Sequence, residues 1–213
     1  MAIDYWHKLE EHQTYHIYNR AAVDNLNIFK EDADYIEFLK KFEKLLGPYL
    51  DTFAYCLMPN HFHFLSKVKP IEEVEKFVCL EKTKSAIKLL ANEITLNDFL
   101  VDQMRRLFSS VSIRHNNKYV RRGPLFAEKF KRIAVNREVK LNYLLCYIHH
   151  NPIHHKFRKN YADWKYSSYN IYLSNDKTIS GKEEILDWIG GLDRFIQAHE
   201  DFRIIKNDYL NFE

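Results

Sequence analysis

Two histidines separated by one residue are the first feature of this sequence that could carry chemistry. His61 and His63 stand in the stretch MPNHFHFL, residues 58–65. Because side chains alternate across a β-strand, both imidazoles would share one face, about 6.7 Å apart at Cα, while Phe62 and Phe64 would share the other. Two imidazoles can converge on one divalent cation and leave coordination positions open. The pattern predicts a catalytic metal site; a half-exposed strand with two chance histidines is an equally good interpretation.

A tyrosine on an amphipathic helix is the second candidate for chemistry. Apolar residues recur at helical spacing over residues 141–148, and Tyr147 lies on the flank of that stripe, one turn before Asn151. The phenol could act as a nucleophile, and the amide oxygen of Asn151 could complete a metal shell. The alternative is a tyrosine at the core edge with its hydroxyl in water. Pro152 predicts a helix end near residue 150, with Asn151 at that end.

Other polar residues near Tyr147 are weaker candidates. His149 projects about 160° from Tyr147 on a regular helix and is not expected to join the same site. Lys140 lies two turns earlier on the same flank and could help the phenol, whose ordinary pKa is near 10, to lose its proton. Three further histidines remain as accessories to the metal or as phosphate contacts: His150, His154 and His155.

Charge is distributed unevenly along the chain. The net charge is +3, but residues 105–160 hold 14 Lys/Arg against two acids, which gives +12, and the rest holds 18 Lys/Arg against 27 acids, which gives −9. Such a segment indicates a polyanion partner, with nucleic acid the first expectation and a solvated basic helix face the alternative. We expect about four to six of these cations to reach phosphates. The predicted DNA contacts are Arg105, Arg106, Arg114, Lys118, Arg121, Arg122, Lys129, Lys131 and Arg132.

Length and composition exclude several classes of protein. The 213 residues suffice for one compact domain with a modest extension, and five Gly with five Pro exclude collagen-like and linker-rich chains. No stretch is long and apolar enough to span a membrane. Charges stand where a signal peptide would be apolar, and three cysteines lack metal-type spacing, so a reducing, cytoplasmic location is expected.

The order of the predicted elements indicates a sheet covered by helices. Periodicity and turn residues predict strands over 14–18, 52–58, 61–68 and 126–135, and helices over 28–46, 97–116 and 136–150, with a charged helical segment over 71–97. A tight turn at Pro59-Asn60 joins the second and third strands. This order predicts an α+β layer with an antiparallel sheet.

Four motifs together resemble one family. The stretch MPNHFHFL closely resembles the histidine–hydrophobe–histidine signature of the single-tyrosine HUH transposases, and YIHHNP (147–152) resembles their nucleophile helix. RGPLF (122–126) followed by Phe130-Lys131 resembles a further segment of the family, and WKYSSY (164–169) is similar to a motif of its REP-associated tyrosine transposase branch. The resemblance covers residues 12 to 172. Residues 71–97 are longer than a minimal member needs, and residues 175–213 match nothing.

The resemblance implies a fold and a domain division. The fold would be a ferredoxin- or RRM-like antiparallel sheet with helices packed on it, plus a C-terminal extension. Residues 1–174 would form the HUH domain, with a helical insertion near 71–97, and residues 175–213 an extension of unknown role.

The resemblance also implies an activity. The chain would be a DNA transposase and endonuclease that cleaves and rejoins single-stranded DNA near hairpins or inverted repeats, acting as a homodimer or monomer. Tyr147 would form a 5′-phosphotyrosine, with Mg²⁺ or Mn²⁺ held by His61, His63 and Asn151. Two alternatives stay open: a domesticated nuclease acting on repeats, and a non-catalytic nucleic-acid-binding module in which Tyr147 is simply packed.

Overall fold

The computed structural model describes residues 5–174 and 179–210, with side chains to residue 205. Its strands are β1 (Thr14–Arg20), β2 (Leu50–Met58), β3 (His61–Val68) and β4 (Lys131–Ala134). Its helices are α1 (Asp32–Leu46), α2 (Ile71–Val78), α3 (Lys84–Leu90), α4 (Leu96–Lys118), α5 (Glu138–His154), α6 (Tyr169–Tyr172), α7 (Lys182–Ile189) and α8 (Leu192–Leu210). No helix within the described ranges is long and apolar enough to cross a membrane.

The four strands form one antiparallel sheet in the order β2-β3-β1-β4. With α1 between β1 and β2, and α4 before β4, the chain follows the β-α-β-β-α-β order of ferredoxin- and RRM-like folds. The predicted α+β class is confirmed. The register sets His63 opposite Tyr18 and His61 opposite Arg20 on β1.

One face of the sheet, here the phenylalanine face, carries Phe62 and Phe64 of β3. Both side chains are buried beneath α1, where the Phe38 ring lies 5.1 Å from Phe62 and the Phe42 ring stacks 3.9 Å from Phe64. Helix α4 packs on α1, so it belongs to the same layer. The alternation predicted for β3 is confirmed, because burying the phenylalanines turns the histidines to the opposite side.

The opposite side, here the histidine face, carries His16 and Tyr18 of β1 with His61 and His63 of β3. Helix α5 lies mainly over β2 and β3 on this side, and α8 packs against α5. Phe195 of α8 is fully buried in the main apolar core. The C-terminal helices thus support α5 from outside; the domain boundary at residue 174 stays a prediction.

Residues 71–97 form two short helices and the start of α4. The predicted helical character of this segment is confirmed, and its buried residues Val74, Val78 and Ala86 join the main core. Tyr49, which precedes β2, donates a 2.6 Å hydrogen bond to Glu81 in the link between α2 and α3. The segment therefore packs onto the fold rather than standing apart from it.

The C-terminal end of helix α5 differs from the prediction. It runs through Pro152 to His154, so Asn151 lies inside the helix rather than at its end. Proline lacks the N–H that would bond the carbonyl of Ile148 four residues earlier. The Asn151 amide substitutes for it, since Nδ2 lies 2.9 Å from the carbonyl oxygen of Tyr147 and 3.4 Å from that of Ile148.

Three other predicted boundaries were wrong. Helix α1 begins at Asp32 rather than residue 28, because Ile28 and Phe29 donate their N–H groups to the carbonyl of Pro59 at the β2–β3 turn. The strand predicted over 126–135 is confined to β4, with Phe126 in an isolated bridge. The residue preceding α5 is Arg137, not Asn136.

Candidate active site

The two predicted metal-binding histidines point from β3 toward α5. His63 is 7% exposed and His61 is half-buried. Their ring centroids lie 5.3 Å apart with ring planes at 81°. Two imidazoles at this separation can both bind one metal ion, each from a different direction.

Helix α5 brings the other two predicted residues to the same place. The ring of Tyr147 lies 5.8 Å from that of His63, and Asn151 Oδ1 lies 3.4 Å from His61 Nε2. The one-turn spacing of Tyr147 and Asn151 presents both to β3, because residues four apart share a helix face. The structure therefore brings together all four residues singled out from the sequence.

The hydrogen bonds of His61 and Asn151 leave two lone pairs facing each other. Burial lowers the pKa of His61 to about 4, so the ring is neutral at neutral pH and carries one N–H. Its Nδ1 lies 2.8 Å from Asn60 Oδ1, which only accepts, so the proton belongs on Nδ1. Asn151 Nδ2 bonds the carbonyl of Tyr147, which turns Oδ1 toward His61 Nε2. Two acceptor atoms thus converge at 3.4 Å, an arrangement that a cation would stabilise.

His63 is held by a residue that we did not predict. His16 Nε2 on β1 lies 2.9 Å from His63 Nδ1, and both side chains are 7% exposed. Burial lowers the pKa of His16 to about 3 and that of His63 well below 6.5, so both rings are neutral at neutral pH. The alternation in TYHIY (14–18) already places His16 and Tyr18 on one face. The missing information was that β1 would pair with β3.

Tyr147 is protonated at rest. Burial and the neighbouring Tyr143 phenol raise the pKa of Tyr147, opposed by its hydrogen bond with Asn151. The phenol rings of Tyr143 and Tyr147 lie 6.0 Å apart and nearly parallel. A nucleophile in this position forms only as its proton leaves during reaction.

The weaker candidates around Tyr147 lie in different places. His149 turns away into the core and hydrogen-bonds His199 at 2.8 Å, as its angular offset predicted. Lys140 donates a 2.8 Å hydrogen bond to the carbonyl of Ala134, and burial lowers its pKa. His155 is exposed, with its ring 5.0 Å from that of His61, at the edge of the site.

Several of the predicted DNA-binding cations already have protein partners. Those on α4 belong to the layer on the phenylalanine face, away from Tyr147, and each contacts a carboxylate. The pairs are Arg105 with Asp102, Arg106 with Glu81, Arg114 with Glu37, and Lys118 with Asp34 and Glu31. Arg121 donates to the carbonyls of Gly123 and Pro124. The +12 segment is therefore partly neutralised by acids from elsewhere in the chain.

The cations around β4 have a different environment. Lys131 Nζ lies over the rings of Tyr5 (4.3 Å) and Tyr18 (5.6 Å), and Lys129 Nζ lies 5.8 Å from the ring centroid of Trp6. Arg132 Nε donates to the carbonyl of His7 at 2.6 Å, and Arg122 is exposed on the preceding loop. Lys131 lies on the histidine face, directly opposite Tyr18, whereas Arg132 lies opposite Ile17.

Comparison with known proteins identifies a shared fold. The sequence matches no family model and no curated protein. Among solved structures, the chain is similar to a REP-associated tyrosine transposase bound to a REP hairpin, with a TM-score of 0.56 and 12% sequence identity. The match covers 82% of this chain and 87% of that chain. At this identity the likeness establishes that the two chains share a fold.

Proposed function

We propose that this protein is a transposase-type enzyme of the single-tyrosine HUH kind, which cleaves and rejoins single-stranded DNA beside hairpins. The observation that carries the proposal is the convergence of Tyr147 and Asn151, from α5, on His61 and His63, from β3. A module that only binds nucleic acid needs neither a half-buried phenol beside two histidines nor a pair of opposed acceptor atoms. The shared fold with a transposase bound to hairpin DNA supports the same substrate class.

The donor set fits a hard or borderline divalent cation. His61 and Asn151 present Nε2 and Oδ1 to one another, and His63 completes the set from the same face of β3. Imidazole with amide oxygen suits Mn²⁺, and Mg²⁺ when water supplies further ligands. Bound there, the ion would polarise the scissile phosphate and stabilise charge on the departing 3′ oxygen.

Tyr147 supplies the nucleophile. Its phenol oxygen forms a bond to phosphorus while the bond from phosphorus to the 3′ oxygen breaks. The phenolic proton passes to solvent water, and the released 3′ oxygen takes up a proton from solvent. The products are a 5′-phosphotyrosine and a free 3′-hydroxyl. Because the covalent intermediate keeps the phosphodiester energy, the reverse attack by a 3′-hydroxyl rejoins DNA without ATP.

A covalent-adduct assay tests this proposal. Labelled DNA hairpins with single-stranded flanks are incubated with protein and Mn²⁺ and separated on a denaturing gel. Wild type and the neighbouring variant Tyr143→Phe should form the adduct. Tyr147→Phe should form none while still binding the hairpin, since the change removes one hydroxyl and keeps the ring. An adduct of wild-type yield in Tyr147→Phe would overturn the assignment.

A further inference from the structure

We infer that Tyr18, Lys131 and Tyr5 form a stacking site for unpaired nucleobases next to the scissile phosphate. The inference rests on the proposed function and names where the single strand runs as it leaves the active site. We call these three residues the tyrosine–lysine strip. No part of it was identified as a stacking surface from the sequence.

The strip crosses the open half of the histidine face. Lys131 on β4 lies opposite Tyr18 on β1. Beyond β4, residues 5–7 extend the sheet, since Arg132 N–H donates to the carbonyl of Tyr5 and His7 N–H to that of Arg132. The strip therefore steps over β1, β4 and the segment of residues 5–7 beside β4. At the usual spacing between strands, the distance from one end of the strip to the other is about 10 Å, which is the length of about two to three stacked nucleotides.

The strip begins at the metal ligands. The ring of Tyr18 stacks on His63 with centroids 5.5 Å apart and on His16 at 4.6 Å. A phosphate placed between His63 and Tyr147 would thus set its neighbouring nucleotide within about one ring width of Tyr18. Helix α5 lies mainly over β2 and β3, and Tyr18, Lys131 and Tyr5 all remain partly exposed.

The composition of the strip suits single-stranded DNA. Aromatic rings stack bases whatever their sequence, and a lysine beside them neutralises phosphate. Lys131 Nζ lies between the two phenol rings and makes no ion pair with any described carboxylate, unlike the cations of α4.

Binding of fluorescein-labelled oligo(dT) in EDTA tests the inference without involving metal or cleavage. Because one stacked base is worth at least about 1 kcal/mol, Tyr18→Leu and Tyr5→Leu should each weaken binding at least about fivefold. Tyr18→Phe keeps the ring and should bind as wild type does. Phe77→Leu alters a 44% exposed aromatic on α2, remote from the strip, and serves as the matched control.

The outcomes separate this inference from the proposed function. Wild-type binding by both Tyr18→Leu and Tyr5→Leu would overturn the strip and leave the nuclease proposal standing. Equal losses in Tyr18→Phe and Tyr18→Leu would assign the effect to the hydroxyl and also overturn it. No binding of oligo(dT) by wild type would overturn the strip, and the adduct assay with hairpins would still decide the nuclease proposal. If Tyr18→Leu does not fold, the oligo(dT) affinities of Tyr5→Leu and Lys131→Gln test the strip instead, because both residues lie at the edge of the sheet.

Discussion

His16 and His63 share a 2.9 Å hydrogen bond across two neighbouring strands. Both rings are buried and neutral, so one nitrogen of the pair donates and the other accepts. If His63 presents Nε2 to a metal, its proton stands on Nδ1 and His16 Nε2 is the acceptor. His16 is then a positioning residue, because it fixes the tautomer and the ring orientation of His63.

We expect replacement of His16 to weaken metal binding without touching a ligand. Loss of such a partner lowers metal affinity about 10- to 100-fold, so His16→Leu should bind Mn²⁺ that much less tightly, whereas His16→Gln keeps an acceptor and should bind nearly as wild type. Calorimetry gives the affinities, and nitrogen chemical shifts of His63 report its tautomer before metal is added. Unchanged Mn²⁺ affinity in His16→Leu would refute this role.

The proposed metal ligands should differ in how much each contributes to Mn²⁺ affinity. Neutral oxygen donors bind transition metals less tightly than imidazole, so His61→Ala should reduce Mn²⁺ affinity more than Asn151→Ala. Electron paramagnetic resonance of free Mn²⁺ measures both. His12→Ala is the control, since that histidine is exposed on the turn before β1. An unaltered Mn²⁺ affinity in His61→Ala would remove this residue from the metal site.

Acid should loosen the contact between α5 and α8. His199 on α8 donates from Nδ1 to the carbonyl of Phe195 and lies against His149, and burial lowers its pKa to about 4. Between pH 6.5 and 4 the unfolded chain binds a proton at His199 that the folded chain does not. Its contribution is therefore complete above pH 6.5 and is lost as pH falls, by up to about 1.4 kcal/mol per pH unit.

Urea unfolding at several pH values measures this loss. His199→Gln keeps one donor and one acceptor but cannot titrate. The free energy of unfolding of this variant should therefore fall less steeply between pH 6.5 and 4, with a slope smaller by up to about 1.4 kcal/mol per unit. The same slope in both proteins would show that the His199 ring becomes charged without disturbing the fold.

Salt dependence distinguishes the neutralised cations from the available ones. With the α4 cations paired to carboxylates, we now expect about three to four phosphate contacts and a slope of log affinity against log salt of about −2 to −3 for single strands. Arg122→Gln should flatten the slope by about 0.7. Arg114→Gln should change it little, because Arg114 contacts Glu37. Titrations of oligo(dT) at several salt concentrations measure both slopes. An equal flattening by the two variants would contradict the distinction between cations paired with carboxylates and cations available to phosphates.

The sequence predicts the parts of the site that depend on local periodicity. Alternation in β3 separates the histidines from the phenylalanines, and the four-residue spacing puts Tyr147 and Asn151 on one helix face. His16 was missed because its role depends on which strand pairs with β3. The pairs of Arg106, Arg114 and Lys118 were missed because their acids, such as Glu37 and Glu81, lie far away in the chain. The helix end was misplaced because a side chain, Asn151, compensates for Pro152.

The most direct test of the account is to find the residue that carries the DNA. After cleavage of a hairpin substrate, the covalent complex is digested with nuclease and trypsin and analysed by tandem mass spectrometry. The tryptic peptide 141–156 contains both Tyr143 and Tyr147, and fragmentation distinguishes them. We predict a 5′-linked nucleotide on Tyr147 alone. A nucleotide on any other residue, or cleavage with no covalent intermediate, would contradict the account.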